Sequence, residues 1–411
     1  MDKKRVFKDF LIYSAGNYIS QGLGIISGFL TRMFITPYFM GIWQGLNIIK
    51  SYTSYTNLGV SKAAAREIAY LRGKGEYKKA EDLKNVGFTF TLIMIFIFGF
   101  ICMSAVLFPQ FRSNIYLSIG FIVMGIILIL ERIESYLITI LRAKKKFYVE
   151  SLVKIVNSIL NIVLVIVVVR NFKLFGLYAS YILLFCASIF LIVFVSKESF
   201  KFILDKRDLF HLIKIGVPLV GLGFMFTNLT NIDRILILKM LGARSLGLYS
   251  IALMMGNFTY QVSNMAGIVL YPRFQEMYAQ LQSRKKLFEV MRRIIKFLSI
   301  PILILVLGAI FFMPFIVKIF IPKYIEGINC MRIFLCGVYF LSLSMFCNHF
   351  LITINRQSIS LIICISCAVL NLFLNIWFIK NGWSIEGVAT ATSISYLIYF
   401  ILLISASVKF R

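Results

Sequence analysis

The chain has 411 residues, 60% of them hydrophobic and 15% charged, with a mean hydropathy of +0.87 and a formal net charge of +27. Soluble domains carry about 45–50% apolar residues, and no soluble core absorbs so much apolar surface, so composition excludes a soluble globular protein and leaves a polytopic membrane protein. The apolar runs are continuous rather than alternating, which excludes a membrane barrel and makes the spans α-helical.

In chain order, MDKKRVFKDF is basic and leads into an apolar stretch with no small-residue cleavage site, so it reads as an uncleaved first span rather than a signal peptide. A helix needs about 20 apolar residues to cross a bilayer, and this length gives about twelve helices. The first six fall near 11–31, 37–60, 87–108, 115–141, 152–169 and 175–196. The second six fall near 213–238, 245–270, 294–317, 328–354, 358–379 and 385–408. Most of the 44 Lys and Arg lie in the N-terminal segment and in alternate loops, which puts those loops and both termini in the cytoplasm. The basicity is therefore a topology signal with some attraction to anionic membrane lipid, and no nucleic-acid partner is expected. Cys364 and Cys367 form a C-x-x-C, but in an apolar helix without βαβ context, which argues against a redox role. His211 and His349 lie far apart with few acidic or thiol neighbours, so neither a metal nor another cofactor is expected.

The two longest internal loops, 61–86 and 271–293, each follow the second helix of a half, and each reads as a short basic helix on the cytoplasmic surface. Further matches recur in the same order. Leu137–Ile140 with Arg142 parallels Leu351–Ile354 with Arg356, and Gly41–Ile42–Trp43 parallels Gly247–Leu248–Tyr249. An even number of spans in each half makes the repeat parallel, with an axis along the membrane normal. The expected organisation is an N-terminal six-helix lobe over 1–196, a basic cytoplasmic linker over 197–212 and a C-terminal six-helix lobe over 213–411.

Polar side chains inside the spans recur at helical spacing. They are Ser14, Tyr18, Gln21, Gly28 and Arg32 in the first helix, then Trp43, Asn47, Lys50 and Ser54 in the second. The seventh carries Thr227, Asn231 and Arg234, and the eighth Asn257, Gln261 and Asn264. Such stripes either line a water-filled cleft or make hydrogen bonds between helices. Lys50 sits near mid-span and cannot easily snorkel to either surface. Arg32 reads as a cleft residue or an interfacial anchor. Arg132 and Lys154 lie toward the cytoplasmic side, where Glu131 or Glu134 could neutralise them, and Lys154 is near enough to a helix end to snorkel. If these cations face one cleft, its ligand is anionic, since Arg grips phosphate bidentately and Lys acts as a point charge.

The stretch Asn231–Ala252, NIDRILILKMLGARSLGLYSIA, places Asp233 and Arg234 where the chain should be in lipid. An intramembrane charge pair is either a functional site or an ion pair locking two helices. With the Leu-Gly and Gly-x-Tyr-Ser that follow, and with both basic loops, the pattern resembles the polysaccharide transporters of the multidrug/oligosaccharidyl-lipid/polysaccharide exporter superfamily, in particular the O-antigen and capsule (Wzx-type) flippases. That resemblance covers nearly the whole chain. It implies an all-α fold of two six-helix lobes in the bacterial plasma membrane, and a transporter rather than an enzyme. The implied substrate is an undecaprenyl-diphosphate-linked oligosaccharide, moved by alternating access through a cationic cavity to which Arg32, Lys50, Arg132 and Arg234 match by position. It also implies coupling to a proton or sodium gradient or to the membrane potential, with Asp233, Glu131 and Glu134 as candidate carriers, and partners such as a polymerase and other assembly proteins. Lipid II flippases, teichoic or teichuronic acid exporters and multidrug antiporters share the plan. An antiporter should prefer an acidic cavity, which the excess of Arg and Lys argues against. A membrane glycosyltransferase or O-antigen polymerase needs a larger extramembrane loop with catalytic groups than this chain has.

Overall fold

Continuous apolar runs leave the backbone no partner but itself, and helices are the result. The computed structural model describes residues 3–281 and 283–411, with side chains from Ala15 onward except at Leu219, Ile268, Val269, Pro272 and Leu281. Ser14 of the first polar stripe therefore lies outside the described side chains. The helices in order are α1 (Lys3–Phe34), α2 (Pro37–Thr53), α3 (Val60–Gly73), α4 (Tyr77–Ser104), α5 (Pro109–Arg112), α6 (Ile115–Ala143) and α7 (Phe147–Leu164). They continue as α8 (Arg170–Ser196), α9 (Lys206–Leu236), α10 (Gly242–Leu281), α11 (Arg284–Phe320), α12 (Ile328–Thr353), α13 (Gln357–Lys380) and α14 (Ile385–Lys409). No strand occurs among the described residues.

Eight helical runs among the described residues are long and apolar enough to cross a membrane. Two of them, Phe147–Ser196 and Val220–Gly267, have 50 and 48 residues. As straight helices they would reach about 75 Å at 1.5 Å per residue, far beyond a hydrocarbon core of about 30 Å. Each instead doubles back. The first reverses after the π turn Val165–Val169, where Lys173 takes φ 52°, ψ −123°. The second reverses after the π turn Ile237–Leu241, at Gly242 with φ 85°. The hydrogen bond from Tyr249 Oη to Asp233 Oδ2, 2.7 Å long across 16 residues, requires that reversal. With α1 and α2 at the positions of the first two expected spans, the order of the twelve expected helices is accounted for.

Local chemistry sets several ends. Asn114 caps α6, its Oδ1 accepting from the backbone N–H of Tyr116 at 3.0 Å and of Leu117 at 3.4 Å. The expected second span, 37–60, ends early: α2 stops at Thr53, a turn follows, and Gly59 at φ 77° starts α3. A Cβ on Gly59 would stand 2.4 Å from the Gly216 carbonyl oxygen, so the turn needs glycine for both conformation and space. The first basic loop does contain a short helix, α3, whose Val60, Ala63, Ala64 and Ile68 are buried against α4 and α6. The second does not. Its residues instead extend α10 to Leu281 and open α11 at Arg284 after the Ser283 cap; Gln282 lies outside the described residues.

Contacts divide the chain into two units. The first comprises Met1–Ile35 and Leu46–Phe224; the second comprises Thr36–Gly45 and Met225–Arg411. The division thus falls within α2 and α9 rather than at 197–212. In the first unit, α1 packs on α7, while α3, α4 and α6 enclose a core that includes Val86, Phe90, Tyr136 and Ile140. The expected linker belongs to this unit as a clasp. Phe200 packs 4.4 Å from Phe88 between ring centres, the N–H of Lys201 bonds Asn85 Oδ1 at 3.1 Å, and the N–H of Ile203 bonds Thr89 Oγ1 at 3.0 Å. Lys84, 1% exposed, donates to the Ser199 carbonyl at 2.7 Å, and Glu198 binds Lys144 at 2.5 Å and Lys146 at 2.9 Å.

In the second unit α12 is central, covered by α10, α11 and α14. The first turns of α2 cross the start of α10 at backbone contact. A Cβ on Gly41 would stand 1.6 Å from the Ala243 carbonyl oxygen, and one on Gly247 would stand 1.7 Å from that of Pro37. Each glycine faces the residue one helical turn before the other. The Gly-Ile-Trp and Gly-Leu-Tyr segments, matched as repeats in the sequence, therefore pack on each other reciprocally.

Candidate functional site

An ionised side chain inside a span must find a partner or water, so the partners of each intramembrane charge sort structural from functional roles. In the first unit, Arg32 lies in the last turn of α1, 5% exposed, with Nη1 donating to the Gly28 carbonyl at 2.9 Å. Its burial does not fit an interfacial anchor. Lys50, half-buried in the last turn of α2, stands 5.2 Å from the centre of the Phe185 ring, a cation–π contact. Glu134 on α6 lies within Coulombic reach of Lys50 and Lys154. It accepts from the Ser188 hydroxyl, which in turn accepts from Asn157 Nδ2 at 2.6 Å.

Two of the expected cations are neutralised locally. Arg132 pairs with its neighbour Glu131 through Nη2–Oε1 at 2.5 Å and Nε–Oε2 at 3.1 Å. Lys154 pairs with neither Glu131 nor Glu134. It bonds Glu150 at 2.6 Å and Asn17 Oδ1 on α1 at 2.8 Å, and Glu150, fully buried, also takes a bidentate pair from Arg142 at 2.8 and 2.6 Å. Lys154 thus ties α1 to α7. Glu150 was not anticipated; the only signal was a lone acid, Tyr-Val-Glu-Ser, at the opening of an apolar run. Gln21 and Asn47 are half-buried and both engaged.

A cavity of about 180 Å³ opens inside this unit where the end of α2, the start of α3, and α4 and α6 meet. Asn57, Lys62, Thr91, Arg132, Ser135 and Thr139 line it. Sequence reasoning placed Arg132 in a cationic cavity but counted Lys62 only as a topology charge. The signal for Lys62 was its place three residues beyond Gly59, in the first turn of the helix that the glycine opens.

In the second unit the adjacent Asp233 and Arg234 do not form an ion pair. The Asp233 carboxylate, 1% exposed, is taken instead by the Tyr249 hydroxyl at 2.7 Å and the Arg234 backbone N–H at 2.7 Å. Arg234 Nε is enclosed with no hydrogen-bond partner among the described residues. Asn231, one turn before Arg234, uses Nδ2 on the Thr227 carbonyl at 2.9 Å and leaves Oδ1 unpartnered. On α10, Asn257 and Gln261 are exposed, Asn264 is half-buried, and Asn264 Nδ2 donates to Gln261 Oε1 at 3.1 Å. Between them Thr259 and Ser263 are buried, so α10 has a buried face and a separate exposed polar stripe.

A family model described as polysaccharide biosynthesis protein matches residues 6–278. No curated protein sequence matches the chain. Among solved structures, an inward-facing multidrug resistance MATE family transporter of the MOP superfamily is 16% identical, with a TM-score of 0.74 over 97% of this chain and 94% of that one. The lipid II flippase MurJ in an inward closed conformation is 17% identical, with a TM-score of 0.70 over 97% of this chain and 87% of that one. A MOP superfamily transporter from Pyrococcus furiosus, described as having a binding pocket of reverse polarity, is 16% identical, with a TM-score of 0.67 over 98% and 95% of the two chains. At these identities the likenesses establish the fold, that of the MOP transporters.

Proposed function

Since the chain belongs to the polysaccharide biosynthesis protein family, we propose that it is a flippase for polyprenyl-diphosphate-linked oligosaccharides of the O-antigen or capsule type, working by alternating access in the bacterial plasma membrane. Arg234 carries this reading. Its guanidinium sits in an apolar run with Nε enclosed and unpartnered, while the neighbouring carboxylate is spent on Tyr249. Arginine so placed calls for an anion, and the planar fork matches phosphate. Arg32 and Lys50 add buried or half-buried positive charge in the other unit. The polyprenyl tail would stay in lipid while Arg234 holds the diphosphate. Membrane potential, at about 2.3 kcal/mol per charge per 100 mV, acts on such a head group, and Asp233, Glu131 and Glu134 are the candidate carriers if a proton or sodium gradient contributes.

A multidrug antiporter shares the fold but suits cationic drugs, which this charge pattern would repel. Lipid II is a lipid-linked sugar of the same diphosphate chemistry, so a lipid II flippase is the nearer second reading.

Export of surface polysaccharide in a flippase-null strain tests the proposal, with membrane levels followed by immunoblot. Lys50→Ala and Arg234→Ala should each lower export about ten- to a hundredfold, the effect of losing a charge-assisted contact of about 1.5–3 kcal/mol. Lys50→Arg should retain part of it, whereas Arg234→Lys should not, because the lysine lacks the fork. Normal export by both alanine variants at normal protein levels would contradict the assignment.

A further inference from the structure

The cavity inside the first unit has properties that the family assignment does not supply. We infer that it is a binding site for the diphosphate group of the lipid-linked substrate, built on Lys62, Arg132, Thr91 and the N-terminus of α3. The inference deepens the flippase reading and rests on it for the identity of the anion.

Lys62 and Arg132 line the cavity and no carboxylate does, because Glu131 turns to Arg132. Glu131 engages Nε and Nη2 of the guanidinium, and Nη1 makes no hydrogen bond among the described residues. A guanidinium has five N–H donors, so Arg132 can bind a second anion without releasing the first. Lys62 has no ion pair among the described residues. Its side chain is exposed along much of its length, yet burial at the cavity wall lowers its pKa below the usual lysine value. Such an ammonium gains most from an arriving negative charge.

The hydrogen-bonding groups point the same way. Thr91, 3% exposed, lines the cavity with its Oγ1 unpartnered. Buried hydroxyls without partners are uncommon, and this one has its hydrogen-bonding capacity free for an arriving anion. Ser135 presents its hydroxyl on α6, one turn from Thr139, whose own hydroxyl donates to the Ser135 carbonyl at 2.8 Å. Residues Ser61 and Lys62 belong to the first turn of the 14-residue α3, where amide N–H groups lack intrahelical acceptors. The positive end of the helix dipole adds to the field. Water takes about 30 Å³ per molecule in the liquid, so about 180 Å³ has room for several waters or one diphosphate. Loop charge puts α3 on the cytoplasmic side, where a substrate made inside the cell would first meet the protein.

Binding of inorganic diphosphate to the full chain in detergent, measured by titration calorimetry, tests the site. The wild type should bind. Lys62→Ala should weaken binding about ten- to a hundredfold, Lys62→Arg should recover part of it, and Thr91→Val should weaken it by a smaller factor, all with unchanged melting temperature. No binding by the wild type, or equal binding by Lys62→Ala, would overturn the site. In nanodiscs, polyprenyl diphosphate should displace the inorganic ion, whereas phosphatidylglycerol should not. Equal displacement by phosphatidylglycerol would overturn the assignment to the transported lipid. If the wild type binds as expected but moves no lipid-linked sugar, the flippase reading falls and the anion cavity stands.

Discussion

Gly41→Val and Gly247→Val should each abolish export and sharply reduce the amount of protein recovered from membranes. Both glycines lie in helices, where replacing glycine normally stabilises: alanine is better by about 1 kcal/mol. Here the sign reverses. A Cβ on either residue would meet a carbonyl oxygen at 1.6 or 1.7 Å, less than half a van der Waals contact. The obstacle is backbone, not the end of a mobile side chain, so the two helices must part by more than an ångström. Overpacking a tight contact costs about 1–3 kcal/mol and sometimes more, and separating this crossing would also undo the contacts around it. Even Gly41→Ala and Gly247→Ala should lower yield. Immunoblots of solubilised membranes and the export assay read both effects. Wild-type yield and export from Gly41→Val would show that the crossing is not close-packed.

The second large effect concerns the clasp over 197–205. Glu198→Ala should release this segment and destabilise the first unit by about 3–5 kcal/mol, the cost of breaking a buried pair from one side. Its carboxylate, 7% exposed, is shared by Lys144, Lys146 and, at 3.7 Å, Lys84. Removing it leaves Lys144, at 9% exposure, with the Glu81 carboxylate at 3.4 Å, and takes from Lys84, at 1% exposure, the second of its two carboxylates. Burial alone would push the Glu198 pKa up, but the hydrogen bonds and charges of Lys144 and Lys146 outweigh it and hold the pKa below the usual carboxylate value. A depressed pKa means that the contribution is fully present above the unfolded value, about 4.3 for Glu, and is lost as pH falls through the folded value. Limited proteolysis at 197–205 should therefore stay slow near neutral pH in the wild type and accelerate below about pH 4.3. Glu198→Ala should be cut rapidly at every pH. A variant as resistant as the wild type at pH 7 would remove the clasp from the account.

Much of the fold could be read from the chain because lipid imposes one rule: a run of apolar residues must be a helix of a certain length. That rule located α6 and α12 to α14 to within about two residues, and missed the first ten residues of α4 and of α11. It failed at other ends too. The expected second span runs on to residue 60, yet α2 stops at Thr53, where the polar turn TSYTN begins, and Gly59 at positive φ opens α3. Arg284 to Arg293 is strongly basic, yet α11 continues through it because an exposed helix tolerates charge.

The site was less legible, because a residue's partner lies elsewhere in the sequence. Adjacent Asp233 and Arg234 suggested a pair, but the carboxylate partner, Tyr249, arrives only through the reversal at Gly242. Lys154 was matched to the wrong acids because Glu150, one turn away, was overlooked as a loop residue. The basic 197–212 stretch reads as a cytoplasmic linker, since its charge gives no sign that two acceptors on α4, Asn85 and Thr89, and the lysines Lys84, Lys144 and Lys146 hold it down.

Transport by the purified chain in proteoliposomes decides whether the protein moves a diphosphate-linked sugar. The vesicles carry a polyprenyl-diphosphate-linked oligosaccharide, and a membrane-impermeant glycosidase or lectin reports how much of it becomes accessible on the far side. The wild type should make the sugar accessible well beyond protein-free vesicles, Arg234→Ala should lose most of that gain, and a neutral glycolipid without the diphosphate should not be moved. Equal movement of the neutral glycolipid, or no movement of the diphosphate-linked sugar by well-folded protein, would contradict the proposed function.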